Sequence, residues 1–238
     1  MSDATAKASP ESHYFLDLKG YSCLRTFALS CKDKFKSSEP FPHIVIDGLI
    51  KKDYLESCAS EFPDLSLMKD VLRHSGRTDE KLASPRGDSF QPPSIKALLA
   101  FLNSSEFLDF LQILSSISEP LIPDPHFVGG GLHQIKTGGF LKVHADFAKH
   151  PDTKLDRRLN LLLYLNKNWD PSYGGSLELW NKKMEKCKKK ILPEFNRMVI
   201  FSTNDFSYHG NPEKVKCPQN ETRKSIACLL YTSPSPRD

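Results

Sequence analysis

Apolar positions recur at helical spacing in the first half of the chain and at strand spacing in the second. From Tyr21 to Phe35, the residues Leu24, Phe27, Ala28, Cys31 and Phe35 repeat at three and four, which predicts one amphipathic helix packed on a core. Pro40 to Asp47 reads as a strand opened by prolines, with Asp47 placed to cap the segment that follows. Lys51 to Phe62 is then a short helix that stops before Pro63. Ser94 to Ile117 carries Leu98, Leu99, Phe101, Leu102, Phe107, Phe110, Leu111 and Leu114, the pattern of one or two buried helices beside a sheet. Between these helical segments, Leu72 to Pro93 is rich in charge, Gly and Pro and has no period. It is predicted to be a mobile loop that covers a substrate.

From Phe127 onward the period changes to two. Leu132–Ile135, Phe140–His144, Leu159–Leu165, Ser176–Trp180, Arg197–Ser202 and Arg223–Tyr231 are short strands separated by turn residues, a spacing that indicates a sandwich or barrel. On Leu159–Leu165 one face presents Leu159, Leu161, Leu163 and Leu165, and the other presents Asn160, Leu162 and Tyr164. The polar side chains mark the face that meets a ligand. Gly129-Gly130-Gly131 is read as turn or bulge glycine, because no Gly-Lys-Ser/Thr follows to make a phosphate cradle. His43, alone at a strand start, is read as structural.

The candidate chemistry begins at Gly138-Gly139-Phe140-Leu141-Lys142-Val143-His144-Ala145-Asp146. Residues two apart on a strand point the same way, so His144 and Asp146 can approach one metal ion together, with His209 as the candidate third ligand. Two imidazoles and one carboxylate on one side of an ion, with the other side open, suit non-haem Fe(II) and oxygen chemistry. His-x-Asp by itself is a common pattern, and the strand that follows gives it context. Arg223 and Ser225 lie on one strand face, where a guanidinium and a hydroxyl can hold a carboxylate.

At this point the sequence resembles the Fe(II)/2-oxoglutarate-dependent dioxygenases, and within them the prolyl 4-hydroxylase branch. The resemblance is carried by Gly-Gly-Phe-Leu-Lys-Val-His144-Ala-Asp146, Arg158-Leu-Asn-Leu-Leu-Leu-Tyr164-Leu-Asn-Lys-Asn-Trp169, Gly174-Gly175-Ser-Leu177-Glu-Leu-Trp180, His209-Gly210 and Arg223-Lys-Ser225, in family order. It implies a mainly β fold with flanking α-helices, a double-stranded β-helix of the jelly-roll or cupin type. It also implies Fe(II) on His144, Asp146 and His209, with 2-oxoglutarate and O2 as cosubstrates and L-ascorbate as reductant. Arg223 and Ser225 would receive the far carboxylate of 2-oxoglutarate. Tyr164 sits where this family often has a cosubstrate contact, Leu162 and Leu177 match apolar walls, and Asn160 lies on the same face. The family often has another tyrosine before the His-x-Asp strand; here the chain reads His133-Gln134-Ile135-Lys136, leaving Gln134 as a weak substitute. The reaction implied is hydroxylation of an unactivated C–H bond of a prolyl residue in a peptide or protein, with no separate acid or base. The same chemistry on a small molecule or another side chain stays open. So does a non-catalytic β-helix binding module. A structural zinc site fits less well, because three N/O ligands leave it open and no thiolate joins them.

Composition refines this picture. A chain of 238 residues with 39% apolar content is read as one main domain over 40–227, with residues 1–39 as a tail and helix packed on it. A net charge of +4 does not call for nucleic acid, and the basic run Lys182–Lys190 reads as a solvated hairpin extension. Six scattered cysteines, no apolar core in Met1–Pro10 and no run of about 18 apolar residues point to a cytoplasmic protein with free thiols and no membrane span. Cys228–Asp238 matches a sequencing-library adapter read as codons and is taken as a non-native tail. Oligomeric state is not legible in these features.

Overall fold

The computed structural model describes residues 12–234; the polar N-terminal tail, 1–11, and the last four residues, 235–238, lie outside it. The helices are α1 (Ser12–Phe15), α2 (Leu24–Ser37), α3 (Lys52–Glu61), α4 (Pro93–Leu102) and α5 (Ser105–Ser115). The strands are β1 (His43–Asp47), β2 (Leu72–Ser75), β3 (Asp79–Ala83), β4 (Gly131–Ile135), β5 (Phe140–His144), β6 (Asp156–Tyr164), β7 (Leu177–Trp180), β8 (Cys187–Ile191), β9 (Arg197–Ser202), β10 (His209–Asn211) and β11 (Arg223–Thr232). Hydrogen bonds run through them in the order β1-β9-β6-β11-β4-β3-β5-β10-β7-β8, with β2 paired to β3. This antiparallel sheet curls into a half-barrel with helices on its outside, a jelly-roll-like fold.

Period-two patterning gives each strand two destinations. Leu159, Leu161 and Leu163 of β6, Met198 and Ile200 of β9, and Ile226, Cys228 and Leu230 of β11 face outward into one core, shared with Leu98, Leu102, Phe107, Phe110 and Leu111 of the helices. Tyr164, Val199 and Phe201 face inward and pack with Phe41, Leu177, Leu179 and Ile191. The predicted 94–117 segment is two helices; the break comes where the Ser104 side chain accepts a hydrogen bond from the Phe107 amide and starts α5.

Two expectations need correction. Leu72–Pro93 is not an unstructured loop: Leu72 pairs with Ala83 across the β2–β3 hairpin, and β3 in turn pairs with β4 and β5. No alternation marks this hairpin, because β2 is exposed throughout and β3 is only partly buried before Ala83. Asp47 does not cap a helix; Lys51 is the N-cap residue of α3 and makes no side-chain cap, and Asp47 instead accepts two hydrogen bonds from Arg197, at 2.8 and 3.0 Å. The basic run lies on a solvated hairpin, as its pattern predicts: its second half is strand β8, paired with β7 and exposed at Lys188, Lys189 and Lys190, and Lys190 bridges Glu178 at 2.7 Å and Glu213 at 2.8 Å.

Candidate metal centre

β5 and β10 pair antiparallel with His144 directly opposite His209, so backbone register brings the two imidazoles together, ring centroids 4.7 Å apart. The close approach depends on Gly210, where a side-chain carbon would stand 2.8 Å from the carbonyl oxygens of both Leu141 and Lys142. Asp146, two residues past His144, completes the group. The ligating atoms of His144, Asp146 and His209 lie within 4.8 Å of one another. Nε2 of His144 is 3.5 Å from Oδ1 of Asp146, and Nε2 of His209 is 3.9 Å from Oδ2.

The tautomers suit a metal. Nδ1 of His144 sits 2.9 Å from the Lys142 carbonyl, and Nδ1 of His209 sits 2.9 Å from the Ser207 carbonyl. An Nδ1–H donated to each carbonyl leaves both Nε2 lone pairs aimed at the carboxylate and at the space between. Burial pushes His209 toward its neutral, ligating form. On His144 burial acts the same way, but the Asp146 carboxylate and the Lys142 carbonyl outweigh it and raise its proton affinity. Burial also opposes the charge on Asp146, yet His209, His144 and Arg157 outweigh it and hold the carboxyl well below the usual range.

Two further side chains grip Asp146. Asn160 donates to Oδ2 at 3.1 Å, and Arg157 approaches Oδ1 at 3.5 Å. Alternation from Asn160 predicts Arg158, not Arg157, on the cavity face. A bulge decides otherwise: Leu159 pairs with Leu230 and Arg157 with Tyr231, so Arg158 is the extra residue and the phase of β6 shifts behind it. Arg157 is thereby turned inward, where it also meets the Tyr231 ring and hydroxyl.

The metal group opens into a cavity of about 550 Å³, whose lining includes Asn160, Leu162, Leu177, Arg223 and Ser225. Arg223 is buried and donates Nε to the Gly175 carbonyl at 2.6 Å and Nη2 to the Tyr164 hydroxyl at 3.2 Å. Gly175 has φ +69°, and a side-chain carbon there would lie 3.0 Å from Arg223 Cδ, so glycine serves both the backbone and the guanidinium. Tyr164 is fully buried behind Arg223, rather than standing in the cavity wall. Gln134 points to the opposite face of β4, where it accepts from the Leu65 amide and donates to Thr222, so it cannot take the place of a cavity tyrosine. His133 and Lys81 occupy that side of the cavity instead. Burial, reinforced by Lys81 and Arg223, brings the His133 pKa down to about 3 and keeps it neutral.

Comparison with known proteins agrees with this geometry. The 2OG-Fe(II) oxygenase superfamily profile matches residues 130–231, a stretch that contains all three ligating side chains and Arg223. The superfamily's name carries its metal and cosubstrate, Fe(II) and 2-oxoglutarate, and O2 is the oxidant of its chemistry. Among curated proteins the chain is similar to the mouse (Mus musculus) prolyl 3-hydroxylase OGFOD1, 25% identical over 222 residues that cover 86% of this chain and 36% of the mouse protein. It therefore spans little more than a third of that relative's length. Its fold matches a Trichoplax adhaerens prolyl hydroxylase solved with a hypoxia inducible factor peptide (TM-score 0.62, 17% identity, 88% of this chain and 90% of that one). A Pseudomonas putida prolyl-4-hydroxylase matches similarly (TM-score 0.59, 15% identity, 87% and 99%).

Proposed function

We propose that this chain is an Fe(II)- and 2-oxoglutarate-dependent dioxygenase that hydroxylates an unactivated C–H bond of a prolyl residue in a peptide or protein. The observation that carries the reading is the paired Nδ1 anchoring of His144 and His209, which aims both Nε2 atoms at Asp146 inside a cavity closed at its far end by a buried guanidinium. His144, Asp146 and His209 would hold the iron. Arg157 and Asn160 keep the carboxylate of Asp146 from rotating away. Arg223 and Ser225 receive the far carboxylate of 2-oxoglutarate, Tyr164 and Gly175 position Arg223, and Leu162 and Leu177 exclude water along the carbon chain of the ligand.

When bound, the metal, 2-oxoglutarate and O2 would supply an oxidative decarboxylation: one oxygen atom ends in succinate beside released carbon dioxide, the other in the new hydroxyl. The protein's part is orientation and shielding. Support for a prolyl substrate comes from the similarity to proteins named as prolyl hydroxylases, which differ in the ring carbon they are named for. The same reading gives ascorbate the task of keeping iron reduced, takes 40–227 as the catalytic domain, and places the protein in the cytoplasm, in keeping with six scattered cysteines.

Anaerobic titration with Fe(II) should produce a weak visible absorption only when 2-oxoglutarate is added, and oxygen should then release succinate. A mass-shift screen of proline-containing peptides for one added oxygen identifies the substrate, and fragmentation distinguishes the 3- from the 4-position. Absence of both the absorption band and succinate would sink the proposal.

A further inference from the structure

One cation in the cavity has no part in the functions assigned above. Lys81 lies on β3 and lines the cavity, yet among the described residues its ammonium makes no hydrogen bond or ion pair. Its place follows from register. Ala83 pairs with His133, and His133 pairs with Ser225; one step along the same face, Arg223 pairs with Ile135, and the β3–β4 register continued by two residues brings Lys81 beside Ile135 as well. Lys81 and Arg223 thus sit two strands apart on one face, on the order of 10 Å between backbones. Two long cationic side chains reaching inward from those positions can converge on a small anion between them.

Arg223 leaves room for a second cation. Its Nε and Nη2 already donate to the Gly175 carbonyl and the Tyr164 hydroxyl, so its full fork is not free for a ligand. A carboxylate has about four lone-pair sites to fill, and Ser225 offers one hydroxyl. The charges acting on Lys81 are Asp79, itself 3.1 Å from His74 Nδ1, then Asp146 and Arg223. A half-buried ammonium without a bonded side-chain partner gains from an anion that arrives with the ligand.

Resting on the dioxygenase reading, we propose that Lys81 of β3 and Arg223 of β11 together hold the far carboxylate of 2-oxoglutarate, one from each side. The β2–β3 hairpin is then part of the cosubstrate site, and a ligand lacking the second carboxylate does not engage it.

Binding of 2-oxoglutarate and of 2-oxovalerate, which shares the 2-oxo acid end but lacks the far carboxylate, is measured anaerobically on the Fe(II) protein through the visible absorption band. Lys81→Met and Lys81→Gln should each weaken 2-oxoglutarate binding about tenfold or more, Lys81→Arg should retain most of it, and 2-oxovalerate affinity should stay level in all four proteins. Unchanged 2-oxoglutarate affinity in both neutral variants overturns the assignment, as does an equal loss for the two acids. A wild-type protein that binds neither acid overturns the dioxygenase reading together with it, whereas wild-type binding that survives loss of Lys81 leaves that reading standing.

Discussion

At the residue scale, the sharpest consequences attach to side chains that act behind the ligating atoms. Arg157 and Asp146 form a buried pair, with side chains 6% and 14% exposed. Removing one partner of such a pair leaves an uncompensated charge, so Arg157→Met should destabilise the metal-free protein by about 3 kcal/mol and loosen metal binding; urea unfolding and an Fe(II) or Mn(II) titration check the two effects. A melting curve and metal affinity equal to wild type would show that Arg157 does not hold the carboxylate. Gly175→Ala tests the other end of the cavity. The positive φ and the 3.0 Å approach to Arg223 Cδ predict a loss of about 1 kcal/mol and a weaker hold on 2-oxoglutarate with metal affinity unchanged. Neither residue is conspicuous in the sequence: Arg157 enters only through a bulge, and Gly175 is one of two adjacent glycines in an ordinary turn pattern.

Strands expose the value of alternation and its limit. On β6 the even and odd positions separate as the pattern predicts: Leu161 lies in the outer core and Leu162 lines the cavity. Leu161→Ala should therefore cost roughly 2–5 kcal/mol of stability, seen as a lower urea midpoint. Asn160→Ala, one position away, should cost less than half as much and show instead as weaker metal binding; comparable destabilisation by the two would mean the facing is wrong. The same rule passes over β2 and β3, because β2 is exposed throughout and β3 turns only Leu82 and Ala83 away from water as apolar residues. The residues Cys228–Thr232 continue β11 against β6, with Leu230 and Tyr231 buried. The strand pattern there thus extends into the segment that reads as adapter-derived.

For the whole molecule, the metal, the diacid and the fold are linked. Anything bound to the native protein alone stabilises it by mass action, about 2.7 kcal/mol at a hundredfold excess over Kd. Mn(II) with 2-oxoglutarate should accordingly raise the melting temperature by several degrees. Asp146→Ala should abolish that shift, and Arg223→Ala should remove the part contributed by 2-oxoglutarate while keeping the part due to metal. A shift that persists in Asp146→Ala would place the metal elsewhere. The same experiment separates the two ends of the cavity, which are built from different strands and meet only when the sheet curls.

Local sequence was sufficient for the features that repeat within one strand or helix: the helical stretches, most of the β-strands, the shared face of His144 and Asp146, and that of Arg223 and Ser225. These depend on a period of two or 3.6, which the chain carries in its own order of apolar and polar residues. Resemblance in ordered blocks then supplied His209 as partner. Register across strands far apart in sequence settled the rest. It placed His209 opposite His144, turned Arg157 inward at a bulge, sent Gln134 to the opposite face of β4 and set Lys81 in the wall of the same cavity as Arg223. Such positions are decided by which strand lies beside which, and that is a property of the closed sheet that no single segment encodes.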